Sequence, residues 1–221
     1  DDAIKAYDAA IRLDPKYIPA WYNRGYALYN LQKYDDAIKA YDAAIRLDPK
    51  YIPAWYNRGY ALYNLQKYDD AIKAYDAAIR LDPKYILAWY NRGYALYSLQ
   101  RYDDALKSFE EAIRLDPEYA PAWNNKGYIL NNQQKYDEAL KCLEEAIRID
   151  PNNAQALKNK GYTLFYLGKN DEAVIALDRA LDIDPQLAEA WDNKGKVLQR
   201  LNRTTEADAA FDKAKMLGYN G

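Results

Sequence analysis

The chain has 221 residues, half of them apolar, and its 31 basic and 33 acidic side chains are interspersed to a net charge of −2, so no nucleic-acid or anionic-lipid surface is expected. No apolar run approaches the roughly 20 residues of a membrane span and no charged-then-apolar leader opens the chain, which predicts a soluble, cytoplasmic protein. A single cysteine and the absence of histidine exclude an intrachain disulfide and disfavour an enzyme, a metal site or a cofactor site.

A 34-residue period runs through the whole chain. Its markers are a tryptophan column, in which Leu157 takes one position, and a glycine column four residues later. The tryptophans are Trp21, Trp55, Trp89, Trp123 and Trp191, and the glycines are Gly25, Gly59, Gly93, Gly127, Gly161 and Gly195. The period divides the chain into a half repeat, 1–17, and six full repeats, 18–51, 52–85, 86–119, 120–153, 154–187 and 188–221.

The half repeat is predicted to be a single helix of type B, which lacks the helix A that would cover its apolar face of Ile4, Tyr7 and Ile11. Two interpretations remain open. The chain is a fragment of a longer array, or this face docks on another molecule, plausibly a second copy in a head-to-tail contact.

Each full repeat is predicted to contain two helices. Helix A begins near Pro19 or its equivalent, a residue suited to a first helical turn, and ends near Leu31. Helix B begins at an acidic pair such as Asp35 and Asp36 and ends before Asp48 and the proline that follows. The predicted fold is therefore all-α, a series of short antiparallel helical hairpins.

The pattern W-x2-x-G-Y-A-L-Y, then Y-D-x-A, then A-I-R-L-D-P at this spacing resembles the tetratricopeptide repeat over the whole chain. The resemblance implies an α-α superhelix, a right-handed solenoid in which 1–221 form one array with a concave and a convex surface. It also implies a non-catalytic protein interaction scaffold whose partner the sequence does not identify.

The recurring small and apolar residues predict the core. Gly25, Ala37 and Ala44 let the helix axes approach, while larger side chains at helical spacing fill the gaps between them. The larger core positions of the first full repeat are Trp21, Leu28, Tyr34, Ile38, Tyr41 and Ile45. The tryptophans are accordingly not expected to form a ligand cage, and Cys142, at a position of small residues, is expected to be a buried thiol.

Two columns on the other face of helix A are the predicted peptide-binding residues. The asparagine column is Asn23, Asn57, Asn91, Asn125, Asn159 and Asn193; the tyrosine column is Tyr26, Tyr60, Tyr94, Tyr128 and Tyr162, with Tyr22, Tyr56 and Tyr90 beside it and Lys196 in the last repeat. An asparagine amide offers a donor and an acceptor to a peptide backbone, and the column resembles the asparagine ladder of O-linked N-acetylglucosamine transferases. Alternatively, these asparagines bond a neighbouring hairpin and the tyrosine rings stack on each other.

Two further features bear on the choice of ligand. The two-carboxylate clamp of chaperone-binding relatives is disfavoured, because Tyr22 and its first equivalents stand where that clamp has lysine and only Lys158 matches it. A basic column is expected to reach carboxylates of helix B; it comprises Arg24, Arg58, Arg92, Lys126, Lys160 and Lys194.

The last helix B carries Asp208 and Lys215 where earlier repeats have isoleucine, which predicts a solvated cap and a true end near Gly221. Repeats 18–51 and 52–85 are identical, which favours tandem duplication in a natural array. The leading functional hypothesis is a scaffold whose groove of asparagine and tyrosine holds an extended peptide. The alternatives are a structural or self-associating rod, or the recruitment arm of an enzyme whose catalytic domain lies outside this chain.

Overall fold

The computed structural model describes residues 2–219, and in that part of the chain all regular structure is helical. The helices are α1 (Asp2–Leu13), α2 (Ile18–Asn30), α3 (Tyr34–Leu47), α4 (Ile52–Asn64), α5 (Tyr68–Leu81), α6 (Ile86–Ser98), α7 (Tyr102–Leu115), α8 (Ala120–Asn132), α9 (Tyr136–Ile149), α10 (Ala154–Tyr166), α11 (Asn170–Ile183), α12 (Ala188–Arg200) and α13 (Thr204–Met216). The predicted all-α class and the half repeat followed by six hairpins are confirmed.

Even-numbered helices are the A helices and odd-numbered helices are the B helices of the repeats. The chain divides into two compact units, 1–115 and 116–221, and each unit is a stack of antiparallel hairpins. Within a unit, an A helix packs on the B helix that follows it and on the B helix of the repeat before. That 1–221 form one continuous array stays a prediction.

The turn from helix A to helix B is a tight left-handed cap. Gln32 has φ of 58°, its N–H donates to the Tyr29 carbonyl at 2.8 Å, and the N–H of Lys33 donates to the Leu28 carbonyl at 2.9 Å. This pair of bonds closes the helix end in the manner of a Schellman motif. Gly168 occupies the same position in the fifth full repeat with φ of 76°, a conformation that glycine adopts without strain.

The tryptophan column anchors helix A to the preceding loop. In each case the indole Nε1 donates to the carbonyl of the proline six residues earlier, at 3.0 Å for Trp55 and Pro49. The other pairs are Trp21 with Pro15, Trp89 with Pro83, Trp123 with Pro117 and Trp191 with Pro185. These contacts place the tryptophans in the scaffold, as predicted.

The glycine column marks the closest approach of helix A to helix B. A Cβ atom built at Gly59 would lie 2.7 Å from Cε1 of Tyr75, and Tyr75 is fully buried. At Gly127 and Gly161 the opposing side chain is a leucine, at 2.7 and 2.5 Å. These positions require glycine because the opposing core side chain occupies the space that a larger residue would need.

The predicted core is found, whereas the predicted cap stays a prediction. Ala37 and Ala44 with their full-repeat equivalents are at most 2% exposed, Cys142 is buried, and Asp208 and Lys215 are exposed. At the other end, Ile4, Tyr7 and Ile11 on α1 are partly exposed. The first residue of the half repeat and Gly221, to which the sequence analysis also refers, lie outside the described residues.

Candidate functional site

In the first unit, helices α2, α4 and α6 expose a row of tyrosines that we call the A-helix face. Tyr26, Tyr60 and Tyr94 are 51%, 38% and 40% exposed. Their rings are held by neighbours: Tyr60 lies 5.3 Å from the ring of Tyr29, and Tyr94 lies 5.7 Å from the ring of Tyr63. The predicted column is therefore solvent-accessible and also packed from repeat to repeat.

The asparagine column bonds the preceding repeat. The Nδ2 of Asn57 donates to the hydroxyl of Tyr22 at 2.9 Å, and the Nδ2 of Asn91 donates to the hydroxyl of Tyr56 at 2.8 Å. These two asparagines therefore donate hydrogen bonds to a neighbouring hairpin, which was one of the two alternatives that the sequence left open. Each amide keeps its side-chain oxygen and a second N–H for a ligand.

A second row of bridges lies one helical turn further along, and the sequence analysis missed it. Asn64 donates to the hydroxyl of Tyr29 at 3.1 Å, and the hydroxyls of Tyr63 and Ser98 lie 3.1 Å apart. The signal in the sequence was that each pair is separated by 35 residues, the same separation as Tyr22 and Asn57.

The A-helix face of the first unit contains a shallow cavity with a neutral lining. The cavity measures about 220 Å³ and is lined by Tyr60, Tyr63, Asn64, Tyr90, Asn91 and Tyr94. Burial, followed by the proximity of Tyr60, raises the pKa of Tyr29 to about 12, and burial raises the pKa of Tyr63. These phenols therefore stay neutral hydrogen-bonding groups at physiological pH.

The corresponding face of the second unit, on α8, α10 and α12, is polar. Tyr128 is 36% exposed and Tyr162 is partly buried, while Asn159 donates to Asn124 Oδ1 at 3.0 Å. Asn131 is 3% exposed, and its side-chain oxygen accepts a hydrogen bond from the buried hydroxyl of Thr163 at 2.9 Å. Part of the polar character of this face is therefore buried structure.

The charged residues of this second face are paired. Lys158 lies 2.5 Å from Glu189, and Lys196 lies 2.6 Å from Asp192, whose carboxylate raises the pKa of Lys196 through a hydrogen bond. Lys158, Glu189 and Lys196 line a cavity of about 220 Å³ together with Tyr128, Asn131, Asn132, Asn159, Tyr162, Asn193 and Tyr219. Because the Lys158 charge is already balanced, the partial match to a carboxylate clamp gains no support.

The basic column has the structural role expected of it. Arg24, Arg58 and Arg92 each place Nε 2.7 Å from an aspartate of the preceding B helix. In the second unit, Lys160 lies 3.0 Å from Glu144 and Lys194 lies 2.6 Å from Asp178. These side chains tie one hairpin to the next and are not a site for acidic ligands.

Residues 2–219 contain neither a metal-ligating cluster nor a helix of membrane-spanning character. That part of the chain contains no group of three or more acidic or cysteine side chains placed to hold a metal ion. None of its helices is long and apolar enough to cross a membrane.

The chain was compared with known proteins. The family model described as the cilia and flagella-associated protein 70 C-terminal domain matches residues 3–221, whereas no curated protein matches. The crystal structure of YrrB, described as a TPR protein with an unusual peptide-binding site, shares 27% identity at a TM-score of 0.69, over 85% of this chain and 96% of YrrB.

Two further solved structures support the fold alone. A tetratricopeptide repeat protein from Parabacteroides merdae aligns with a TM-score of 0.74 and 22% identity, over 98% of this chain and 86% of its own. MamA from Desulfovibrio magneticus aligns with a TM-score of 0.69 and 22% identity, over 75% of this chain and 94% of its own.

Proposed function

The chain belongs to the family of the cilia and flagella-associated protein 70 C-terminal domain, a tetratricopeptide repeat family, and from this membership we propose that its A-helix face binds an extended peptide. Tetratricopeptide repeat proteins are generally non-catalytic interaction scaffolds, so the general function is to bind a protein or a peptide. The proposal adds where the peptide lies and which side chains contact it.

The observation that carries the proposal is the exposed tyrosine row of the first unit. Tyr26, Tyr60 and Tyr94 keep between 38% and 51% of their surface exposed, whereas the other two tyrosines of each helix are partly buried. Tyrosine provides a broad contact surface with few rotatable bonds and a polar tip, which suits peptide binding. The rings are also pre-positioned by their neighbours, which lowers the entropy cost of binding.

The hydrogen-bonding groups narrow the geometry of the ligand. Because one amide N–H of Asn57 and of Asn91 already bonds a tyrosine, their oxygens would accept N–H groups from a peptide backbone and their second N–H would donate to its carbonyls. The cavity between α4 and α6 has a neutral lining, so its best ligand is an uncharged segment bound with little dependence on salt. The similarity to YrrB, a TPR protein with an unusual peptide-binding site, supports a peptide as the ligand.

The experiment begins with a random peptide library selected on the wild-type protein. Tyr60→Ala combined with Tyr94→Ala is expected to weaken a selected peptide at least tenfold, because truncating buried aromatic contacts typically costs 1–3 kcal/mol or more. Lys73→Ala, on the exposed side of α5, is the control and should leave the affinity unchanged. Equal affinity for the tyrosine variant and the wild type would refute the proposal.

Two double variants distinguish a role of the asparagines in peptide binding from their role in the hydrogen bonds between repeats. Tyr22→Phe with Tyr56→Phe removes the hydroxyls that Asn57 and Asn91 bond but leaves both asparagines in place. We expect a lower melting temperature with peptide binding retained. Asn57→Ala with Asn91→Ala should lower both. If the asparagine variant lowers melting alone, the column is structural and the tyrosines carry the binding.

Self-association through α1 is a second candidate. Tyr7 and Ile11 are partly exposed, whereas Tyr41 and Ile45 at the same positions of α3 are 0% and 9% exposed. A second molecule stacking on this face would remove that apolar surface from water. Sedimentation velocity is expected to show association that grows with concentration and that Ile11→Lys abolishes; a strict monomer at high concentration contradicts it.

A further inference from the structure

The fifth full repeat, 154–187, differs from the others at two positions that meet at one pocket. Leu157 stands in the tryptophan column. Ile175 stands where the four preceding repeats have lysine, and it is 62% exposed. Both side chains line a cavity of about 170 Å³ between α9, α10 and α11, on residues that the A-helix face does not use.

The sixth repeat shows what normally fills this space. There the ring of Trp191 lies 5.3 Å from the Lys194 ammonium, and the indole packs on the apolar cluster that contains Leu181 and Ala210. One repeat earlier, the equivalents of these neighbours are Lys160, Ile147 and Ala176. All three line the cavity, as does Leu157 itself, so the cavity corresponds in repeat register to the surroundings of an indole ring.

The pocket surrounds Leu157, which replaces the tryptophan of the other repeats. Leu157 and Leu164 form its floor and are each 1% exposed, while Ile175 forms an apolar rim. Lys160 is held beside the pocket by Glu144 at 3.0 Å. An engineered apolar cavity of about 150 Å³ binds benzene, so the volume suits one aromatic ring, while Lys160, Glu172 and Arg179 make part of the lining charged.

The polar group that an indole would use is also present. In the five repeats with tryptophan, the indole N–H donates to the carbonyl of the loop proline at 2.9 to 3.0 Å. In the fifth repeat this carbonyl belongs to Pro151, and it receives only a 3.4 Å contact from Nη2 of Arg179. Arg179 lines the pocket and is exposed. Its guanidinium can therefore move away, which leaves the Pro151 carbonyl to accept a hydrogen bond from an indole N–H.

We propose that this pocket binds the side chain of a tryptophan presented by a partner protein. The partner's ring would occupy the place that the chain's own indole fills in the other repeats, next to the Lys160 cation. Its N–H would donate to the Pro151 carbonyl, and its docking would cover Ile175. The site belongs to the second unit, whereas the proposed peptide-binding face belongs to the first, so the two share no side chain.

The probe is N-acetyltryptophanamide, which presents the side chain within a peptide-like backbone. Methyl groups of isoleucine, leucine and valine are labelled in the full chain and followed by NMR, since the five native tryptophans would obscure fluorescence. We expect saturable shifts at Leu157, Ile147 and Ile175, with half-saturation on the order of a millimolar for one side chain. N-acetylalaninamide is the control and should shift none of them.

Two variants test the pocket itself. Leu157→Trp supplies the missing ring from within, so it should abolish the methyl shifts and raise the melting temperature. Ile175→Lys restores the lysine of the preceding repeats without filling the cavity, and it should weaken binding several-fold with little change in melting. Shifts of equal size in the wild type and in a folded Leu157→Trp variant overturn the proposal, as does the absence of shifts at these methyl groups.

Two further experiments distinguish a tryptophan side chain of a protein from free tryptophan, and this pocket from the proposed peptide-binding face. Free L-tryptophan should bind no better than the amide; a site that takes only the free amino acid is a metabolite site, and the proposal then fails. Leu157→Trp should leave peptide binding by the A-helix face unchanged. A loss of library peptides therefore bears on the proposed function, and a loss of N-acetyltryptophanamide binding bears on this pocket.

Discussion

Replacing Tyr75 with phenylalanine should stabilise the protein. Tyr75 on α5 is 0% exposed, and its hydroxyl has no hydrogen-bond partner among the described residues; the same holds for Tyr41 on α3. Burial holds the pKa of Tyr75 far above its ordinary value, as expected for a phenol shielded from water. The third full repeat has Phe109 at this position, so the site accepts a ring without the hydroxyl.

The magnitude follows from two opposing effects. A buried hydroxyl without a partner costs about 1–3 kcal/mol, and this cost disappears with the oxygen. Removing the oxygen also forfeits its few dispersion contacts, at about 0.1–0.2 kcal/mol each. The net gain is about 1 kcal/mol, which corresponds to a rise of about 2–4 °C in the melting temperature for a chain of this size.

The assay is urea unfolding at pH 7 with calorimetry on the same samples. Tyr26→Phe is the matched control, since Tyr26 is 51% exposed and its hydroxyl reaches solvent, and it should change the stability by less than about 0.5 kcal/mol. A Tyr75→Phe protein that is less stable than the wild type would refute the reasoning, because it would mean that the hydroxyl is satisfied in solution.

Two further predictions concern the same hairpins. Gly59→Ala should lower the free energy of unfolding in urea by about 1–3 kcal/mol, because the new Cβ would lie 2.7 Å from the buried Tyr75 ring. The gain in helix propensity, about 1 kcal/mol, does not compensate. If Gly59→Ala costs as much in a Tyr75→Ala background, the clash with Tyr75 is not the cause. Stability should fall above pH 10. Burial raises the folded-state pKa of Tyr75 and raises that of Tyr29 to about 12, so the unfolded chain loses these protons first. Each such tyrosine contributes a slope of about −1.4 kcal/mol per pH unit, and a flat urea midpoint between pH 10 and about 11.5 would refute this.

Much of the fold could be predicted because each repeat shows the same local signals. Loop prolines, the acidic pair at the start of helix B and the spacing of Trp21, Leu28 and Gly25 mark the hairpin without reference to any other repeat. The role of the basic column was also predictable, since Arg58 recurs at a fixed distance from Asp42 and the pair lies 2.7 Å apart. Such features depend on helical periodicity and short loops.

The exposure of the tyrosine column in the first unit was predicted, since Tyr26, Tyr60 and Tyr94 lie on the face of helix A away from the core. For the asparagine column the sequence left two alternatives open, a peptide ligand or a neighbouring hairpin. That Asn57 bonds Tyr22 could not be read from the sequence, because the partner depends on how far one A helix is shifted along the next. Whether this face binds a peptide remains a proposal.

The sequence by itself determined the period, the helices and the alternation of core and surface, since these follow from side-chain size, polarity and turn residues repeated every 34 positions. Only the tertiary structure decided how neighbouring repeats meet. The packing of one hairpin on the next brings residues 35 apart, such as Tyr56 and Asn91, into hydrogen-bond contact and uses the donor that the sequence had assigned to a ligand. The same packing explains the pocket at Leu157. The residues equivalent to those around an indole in another repeat are present there, and a cavity lies beside the smaller leucine side chain.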